Sequence, residues 1–318
     1  MSCTDYSVTI ICLAYNHEKY IEQALDSMLF QKTTFKYKIL VHDDCSSDMT
    51  QEILLQYKER YPDIVDLILE PYNRYSKGQS FTDSIKSKIV GKYVALCEGD
   101  DFWIDESKLQ VQYDFMESHA GYSLIVHSAD VLDDRTGIIK DHLRPANHNK
   151  DFSTSEIIEA AGWLWATNSM FFKAELYGSP EAYRGWGVGD YPTAIYLSTA
   201  GKVRYIDRRM SVYRSMSEGS WSSRIANDGR VKIQSLESRI AGISRFDSYT
   251  ERRYSKSVEY VKGKWRCEIG VLSGNWEKVV DEENHSYFHF LKASTKFSMW
   301  LHCNHPAAYQ FAKRLFLK

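Results

Sequence analysis

The sequence predicts an α/β protein with a mostly parallel sheet flanked by helices, followed by a helical C-terminal extension. In the first hundred residues, short apolar runs alternate with segments of helical period, which is typical of strands joined by crossover helices. From about residue 224 onward, Gly and Pro become scarce and the pattern is helical to the end. We therefore predict one domain over residues 1–223 and a helical extension over 224–318, with no flexible linker between them.

Four strands and three helices account for the first hundred residues. The apolar runs predict strands at 7–14, 37–42, 64–69 and 92–97. A first helix covers 16–31, where the apolar residues share one stripe, and a third lies around 80–90. The second helix covers 49–61, and we expect Asp48 to cap it, with the Gln51 side chain returning the bond.

The pattern is looser beyond Gly121. A strand is predicted at 122–127, followed by a turn at the sheet edge over 130–141. A tryptophan-rich segment, AGWLWATNSMFF, follows. Residues 191–200 then predict a helix that ends at Gly201, with two short strands after it.

Composition and charge exclude several classes of protein. The 318 residues are 43% apolar and carry a formal net charge of −2, so no overall field attracts nucleic acid. The six cysteines form no CxxC pair, and the first residues have neither a basic leader nor an apolar core for secretion. No run approaches the ~20 apolar residues of a spanning helix. We expect a cytoplasmic protein with reduced thiols.

Two clusters of acids follow predicted strands. HDDCSSD (42–48) comes after the second strand and EGDD (98–101) after the fourth. Because ligands of parallel sheets bind beyond the carboxyl ends of the strands, we expect both clusters to face one cleft. A hard divalent cation that also binds phosphate oxygens would relieve their repulsion, which predicts a nucleotide diphosphate site.

The alternative for both clusters is that the acids are helix caps or solvated turns. It is the stronger interpretation for HDDCSSD alone, where Asp48 is an evident cap. It is weaker for EGDD, because Asp105 already supplies a cap for the following helix.

Four segments, in order and spacing, carry a resemblance: VTIICLAYNHEKYIEQALDSML, ILVHDDCSSDMTQEIL, GKYVALCEGDDFWIDESKLQ and GDYPTAIYLSTAGKVRYIDRRMSVYR. Together they resemble the family 2 glycosyltransferases, which have the GT-A (Rossmann-like) fold, over roughly residues 7 to 221. The resemblance implies transfer of a sugar from a nucleotide-sugar donor, usually with inversion, using Mn²⁺ or Mg²⁺. It implies a donor half at 1–120 and an acceptor and catalytic half at 121–223. We expect a UDP-sugar donor and a glycan or lipid-linked acceptor in cell-surface polysaccharide synthesis.

The resemblance also implies roles for five residues. Tyr15 would lie against the nucleotide base, and Asp43 would accept a hydrogen bond from uracil. Asp100 would contact the ribose and the metal environment, and Asp101 would be the main metal ligand. Asp190 resembles the catalytic base, although alone it would be interpreted as an N-cap.

Several positions depart from the family pattern. Glu98 stands where the DXD motif often has Asp, and Cys45 replaces a turn glycine. Gly189 stands where many relatives carry Glu, and Met216 where many carry a His that helps hold the metal. Because thioether sulfur is a poor ligand for Mg²⁺, we expect weaker metal binding or its completion by water.

Tryptophans are the candidates for acceptor binding. Trp163, Trp165, Trp186 and Trp221 could offer flat faces to sugar rings, although tryptophans are more often core residues.

Rival functions remain. A catalytically silent relative that binds a nucleotide-sugar and regulates a partner is favoured by Met216 and Gly189. A receiver-like phosphoacceptor module would have its acid pair after the first strand, and a nucleotidyltransferase would need a glycine-rich loop near the start. Neither feature is present in this sequence.

The C-terminal segment 306–318 combines aromatic and basic residues. One interpretation is peripheral contact with anionic lipid at the inner face of the plasma membrane. The other is docking of the tail onto the catalytic domain or onto a second subunit of a homodimer.

Overall fold

A computed structural model describes residues 6–186, 189–217, 223, 228–275, 279 and 293–305. The chain divides into two compact units. The first, here called the sheet unit, comprises residues up to 181 and residues 190–224. The second, here called the helical unit, comprises residues 182–189 and 225–318.

The sheet unit contains ten strands and six α-helices in its described residues. The strands are β1 (Tyr6–Ala14), β2 (Lys36–Asp43), β3 (Val65–Leu69), β4 (Tyr93–Leu96), β5 (Phe102–Trp103), β6 (Tyr122–Asp133), β7 (Ile138–Leu143), β8 (Lys150–Phe152), β9 (Phe171–Lys173) and β10 (Lys202–Ser215). The helices are α1 (Ile21–Leu29), α2 (Thr50–Arg60), α3 (Thr82–Lys86), α4 (Lys108–Ser118), α5 (Thr154–Glu159) and α6 (Asp190–Ala200). Short 3₁₀ helices cover Tyr75–Lys77, Thr167–Ser169 and Ala174–Leu176.

The strands form one sheet in the order β3-β2-β1-β4-β9-β6-β10-β5, with β7 paired to β6 and β8 to β10. The four strands of the first hundred residues are parallel. Beyond them, β9 runs antiparallel between β4 and β6, while β6 and β10 are parallel to each other. The predicted α/β fold is confirmed. The sheet is parallel in the first half of the unit and mixed in the second.

The core lies around β1 and α1. Val8, Ile10 and Cys12 on β1 are fully buried, as are Ile21 and Leu25 on α1. Strand β1 is buried along most of its length because it is paired on both sides and covered by helices. This central position places the loop after Ala14 between the loops that follow β2 and β4.

The predicted capping box of the second helix is wrong. Helix α2 begins at Thr50, and its Gln51 Nε2 donates to Asp43 Oδ2 at 2.6 Å instead of returning to residue 48. Asp48 accepts from the Thr50 backbone N–H at 3.0 Å and from that of Glu18 at 3.1 Å. Asp48 therefore ties the helix start to the loop after β1.

Two other elements differ from the sequence prediction. The two short strands expected after the α6 helix are one strand, β10, which has register shifts against β6 between Ile206 and Ser211. These shifts interrupt the apolar pattern without ending the strand. The helix expected around 80–90 is limited to α3, residues Thr82–Lys86.

The described part of the helical unit contains α7 (Gly229–Tyr249), α8 (Ser255–Ser273) and α9 (Ala293–Asn304). Trp186 is fully buried in it, so close to α7 that a Cβ at Gly242 would lie 2.4 Å from the Trp186 ring. No described helix combines the length and apolar character needed to cross a bilayer. The predicted tail contact at 306–318 lies outside the described residues, as does Trp221.

Candidate functional site

The loop after β1 joins the two acid clusters. Asn16 receives a hydrogen bond from the Ser47 backbone N–H on its Oδ1, at 2.8 Å, and its own N–H donates to Ser46 Oγ at 2.8 Å. On the other side, the Gly99 N–H donates to the carbonyl of Leu13 at 2.8 Å. Tyr15 lies in this loop with 45% of its surface exposed, so its ring is accessible at the carboxyl edge of the sheet.

The Asp43 and Asp44 side chains accept hydrogen bonds from nearby turns of the chain. Asp43 is fully buried at the end of β2 and accepts hydrogen bonds from the Ser46 N–H at 2.9 Å, the Ser46 hydroxyl and the Gln51 amide. The turn contains Cys45 at φ +62°, a left-handed conformation that explains why a glycine is expected there. Asp44 accepts from the backbone N–H groups of residues 74 and 75, at 2.7 and 3.0 Å. Asp43 therefore contacts protein donors on both oxygens.

The glycine of EGDD is required by close packing. A Cβ at Gly99 would lie 2.7 Å from His17 Nδ1 and 2.9 Å from Ile21 Cδ1. These distances are shorter than van der Waals contact, so a larger residue would push the loop away from α1. The loop that carries the acids is thus held against the start of α1.

Asp101 is an anchor of this loop. The side chain is 1% exposed, and its two oxygens accept from the Arg214 backbone N–H at 2.7 Å and from Asn168 Nδ2 at 2.8 Å. Burial, together with the carboxylates of Asp100 and Glu98, raises the Asp101 pKa above its usual range, and the two donors oppose that shift. Both oxygens already have protein partners.

Asp100 and Glu98 are both partly accessible, but they differ in their hydrogen-bond partners. Asp100 accepts from the Ser217 hydroxyl on one oxygen, at 2.8 Å. Among the residues that the structure describes, no other residue donates a hydrogen bond to the Glu98 carboxylate. Burial raises the Glu98 pKa to about 8, with further contributions from Asp100 and then Asp190. Asp100 and Asp190 therefore lie within electrostatic range of Glu98.

Asp190 begins α6 and lies at a small pocket. Its Oδ1 accepts from the backbone N–H of the next residue, Tyr191, at 2.8 Å, whereas an N-cap accepts from the N–H two or three residues on. Its side chain remains partly accessible. The pocket belongs entirely to the sheet unit. It is lined by Ile157, Gly162, Leu164, Trp165, Thr167, Met170, Asp190, Tyr191 and Ala194.

The three described candidate tryptophans have different environments. Trp163 is 69% exposed and stands between two lining residues of the pocket, Gly162 and Leu164. Trp165 is buried and packs edge-on against Phe152, with ring centroids 5.8 Å apart. Trp186 is buried in the helical unit. Of these three, Trp163 offers a free face.

Arg214 is a residue of the site for which sequence reasoning assigned no role. Its Nε donates to the carbonyl of Asp100 at 2.8 Å, and its terminal nitrogens donate to Asp134 at 3.0 Å and Gln23 at 2.7 Å. The guanidinium also lies 4.7 Å from the centroid of the Tyr20 ring, whose hydroxyl donates to Asp134 at 2.6 Å. The side-chain partners of Arg214 lie 80 to 191 positions away, so no local pattern reveals them.

The departures from the family pattern lie beside these groups. Met216 adopts φ +65°, a left-handed conformation, immediately before the buried Ser217 that donates to Asp100. Gly189 is exposed and precedes Asp190.

The described residues contain no group of three or more His, Cys, Asp or Glu side chains arranged to hold a metal ion. In the part of the chain that the structure describes, one Asp100 oxygen and the Glu98 carboxylate nevertheless accept no hydrogen bond from another residue. Mg²⁺ and similar hard cations bind one or two protein carboxylates and take their remaining ligands from phosphate and water. This donor set fits such an ion.

The sequence profile described as Glycosyl transferase family 2 matches residues 9–174. The chain belongs to this family.

Among curated proteins, the chain is similar to the putative teichuronic acid biosynthesis glycosyltransferase TuaG of Bacillus subtilis, with 32% identity over 133 residues, or 40% of this chain and 50% of TuaG. It is 29% identical over 220 residues to an uncharacterised protein of Mycobacterium tuberculosis, covering 68% of this chain and only 61% of that protein.

Two solved structures share the fold. S. aureus TarS 1–349 in complex with UDP-GlcNAc has a TM-score of 0.54 at 16% identity, covering 90% of this chain and 93% of that one. The mannosyltransferase PcManGT from Pyrobaculum calidifontis, in complex with GDP-Man and Mn²⁺, has a TM-score of 0.53 at 16% identity, covering 99% of this chain and 89% of that one. The GT-A fold expected from the sequence is confirmed.

Proposed function

We propose that the chain is an inverting glycosyltransferase that moves a hexose or N-acetylhexosamine from a UDP-sugar to a glycan or lipid-linked acceptor in polysaccharide synthesis. The observation that carries the proposal is that Asp100 and Asp190 lie within electrostatic range of Glu98, and that Asp190 lines a pocket of the sheet unit. Family membership supports the reaction class. The UDP-GlcNAc bound to TarS and the GDP-Man bound to PcManGT support a nucleotide-sugar donor. The name of TuaG supports a role in polysaccharide synthesis.

Asp190 serves as the general base in this proposal. Its carboxylate takes the proton from an acceptor hydroxyl while the hydroxyl oxygen forms a bond to the anomeric carbon. The bond from that carbon to the phosphate oxygen breaks on the opposite face, and the nucleotide diphosphate leaves with the electron pair. The hydrogen bond from the Tyr191 N–H to one oxygen orients the carboxylate and leaves the other oxygen for the acceptor.

Asp100 and Glu98 hold the divalent cation in this proposal, and Asp101 anchors the loop. The cation, Mn²⁺ or Mg²⁺, supplies positive charge against the departing phosphate. The assignment differs from the sequence prediction of Asp101 as the main ligand. It is supported by the two protein donors on the Asp101 oxygens. It is also supported by the second Asp100 oxygen, which accepts no hydrogen bond from the residues that the structure describes.

Tyr15 is proposed to cover the nucleotide base, because its ring is exposed beside the end of β2. Asp43 is proposed to act on the base indirectly, by holding the turn at residues 43–46, since both of its oxygens contact donors of the chain. A direct contact with uracil would require the Gln51 amide to move away.

Donor hydrolysis by the full chain tests the proposal. Release of the matching nucleoside diphosphate is measured for a panel of UDP-, GDP- and dTDP-sugars with Mn²⁺, and binding of the same donors is followed by thermal shift. Asp190→Asn should lower the rate by about a hundred- to ten-thousand-fold and keep donor affinity. The matched control is Asp141→Asn, an exposed carboxylate on β7. Donor binding without turnover in the native chain would instead favour the silent, regulatory relative.

A further inference from the structure

The pocket at Asp190 is apolar and carries one charge. Of its nine lining residues, Asp190 alone is acidic, and none is Lys, Arg or His. The other lining groups are aliphatic and aromatic side chains, one threonine and one glycine. Pockets of this composition suit ligands with apolar faces and a few hydroxyl groups. The Asp190 carboxylate would repel an anionic group of an acceptor held beside it.

An exposed indole, that of Trp163, belongs to the residue between two lining residues of this pocket, Gly162 and Leu164. Two successive residues after α5, Ala161 at φ +58° and Gly162 at φ +92°, adopt left-handed conformations. A left-handed alanine is unfavourable, and such backbone strain is concentrated at functional positions. The turn brings Gly162 against Tyr191, where a Cβ would lie 3.3 Å from the Tyr191 Cβ. It leaves Trp163 directed away from the core with 69% of its surface exposed.

We propose that Trp163 is an acceptor-binding residue, and that the acceptor ends in a neutral pyranose that stacks on its indole face with one hydroxyl at Asp190. The C–H groups on one face of a pyranose form an apolar surface that matches an aromatic ring, whereas a linear polyol phosphate offers no such face. This inference deepens the proposed function and rests on it. It separates a neutral sugar acceptor from a phosphate-linked polyol.

The test uses the full chain with Mg²⁺ and UDP, and saturation-transfer NMR with defined probes. The neutral probes are trisaccharides of glucose, galactose, mannose, rhamnose and N-acetylglucosamine. The anionic probes are ribitol 5-phosphate and glycerol 3-phosphate. At least one neutral trisaccharide should bind the native chain. Trp163→Ala should weaken that binding at least tenfold, and Trp163→Phe, which keeps an aromatic face, should restore most of it.

Trp300→Ala is the matched control, because Trp300 is also half-exposed but belongs to the helical unit. It should bind the trisaccharide like the native chain. The inference is overturned if no neutral trisaccharide binds, if Trp163→Ala keeps full affinity, or if the polyol phosphates bind in preference. The Mn²⁺-dependent thermal shift with UDP reports separately on the donor site. A chain that binds UDP but no trisaccharide therefore refutes this inference alone, whereas loss of donor binding refutes the proposed function.

Discussion

Neighbouring aspartates of the EGDD loop should respond oppositely to the same substitution. In Asp101→Asn, the new NH₂ group would replace one of the two acceptor oxygens. It would then face an N–H donor, either the Arg214 backbone or the Asn168 side chain. One hydrogen bond to a charged group is then lost, at about 1.5–3 kcal/mol, and relief of a buried charge offsets part of it. We expect Asp101→Asn to destabilise the chain by about 2 kcal/mol. That corresponds to roughly 4–8 °C in Tm for a unit of this size.

Asp100→Asn should have little effect on stability, because the Ser217 hydroxyl can donate to an amide oxygen equally well. It removes the charge that is proposed to hold the cation, so the Mn²⁺-dependent gain in Tm with UDP should disappear. In Asp101→Asn that gain should persist on a lower baseline. Thermal unfolding with and without Mn²⁺ and UDP, supported by calorimetric titration of UDP, measures both effects.

One result would refute this reasoning. If Asp101→Asn keeps the native Tm but loses the Mn²⁺ effect, then Asp101 is a ligand and not an anchor. Asp141→Asn, on the exposed strand β7, controls for a change in net charge alone.

Three further predictions follow from the surroundings of the loop. Arg214→Lys keeps the positive charge but loses the guanidinium that donates to three partners. It should lower the free energy of unfolding, measured with urea, by about 1–3 kcal/mol and weaken Mn²⁺-dependent UDP binding. Unchanged UDP affinity would argue against a positioning role for Arg214. Gly99→Ala should lower both Tm and UDP affinity, because the added Cβ would lie 2.7 Å from His17 Nδ1. Native values of Tm and UDP affinity would contradict the packing argument. Burial lowers the pKa of Lys108 from its ordinary 10.5 to about 7, so between these pH values the folded chain binds fewer protons than the unfolded chain. The free energy of unfolding should therefore rise with pH in that window, by at most about 1.4 kcal/mol per pH unit. In Lys108→Met, urea unfolding at pH 7 and at pH 9 should show a smaller rise than in the native chain. An equal rise in both proteins would exclude Lys108 as the source.

Sequence periodicity was sufficient to predict the parallel half of the fold. Continuous apolar runs mark β1 and β2 because a central parallel strand is buried on both faces, and the helices between them show their own period. The same pattern located EGDD at the carboxyl end of β4. The mixed half was predicted less well. Register shifts in β10 interrupted its pattern, so one strand was interpreted as two.

The amino-acid sequence by itself determined the α/β class, the family and the positions of the acids along the chain. Only the tertiary structure decided what each acid contacts. Asp101 accepts hydrogen bonds from Asn168 and Arg214, which are 67 and 113 positions away in the sequence. Gln51 donates to Asp43 and does not make the capping bond predicted for it. Local patterns carry periodicity and charge, which depend on neighbours in the chain. Hydrogen-bond partners and the exposure of a side chain such as Trp163 depend on which distant segments the fold brings together.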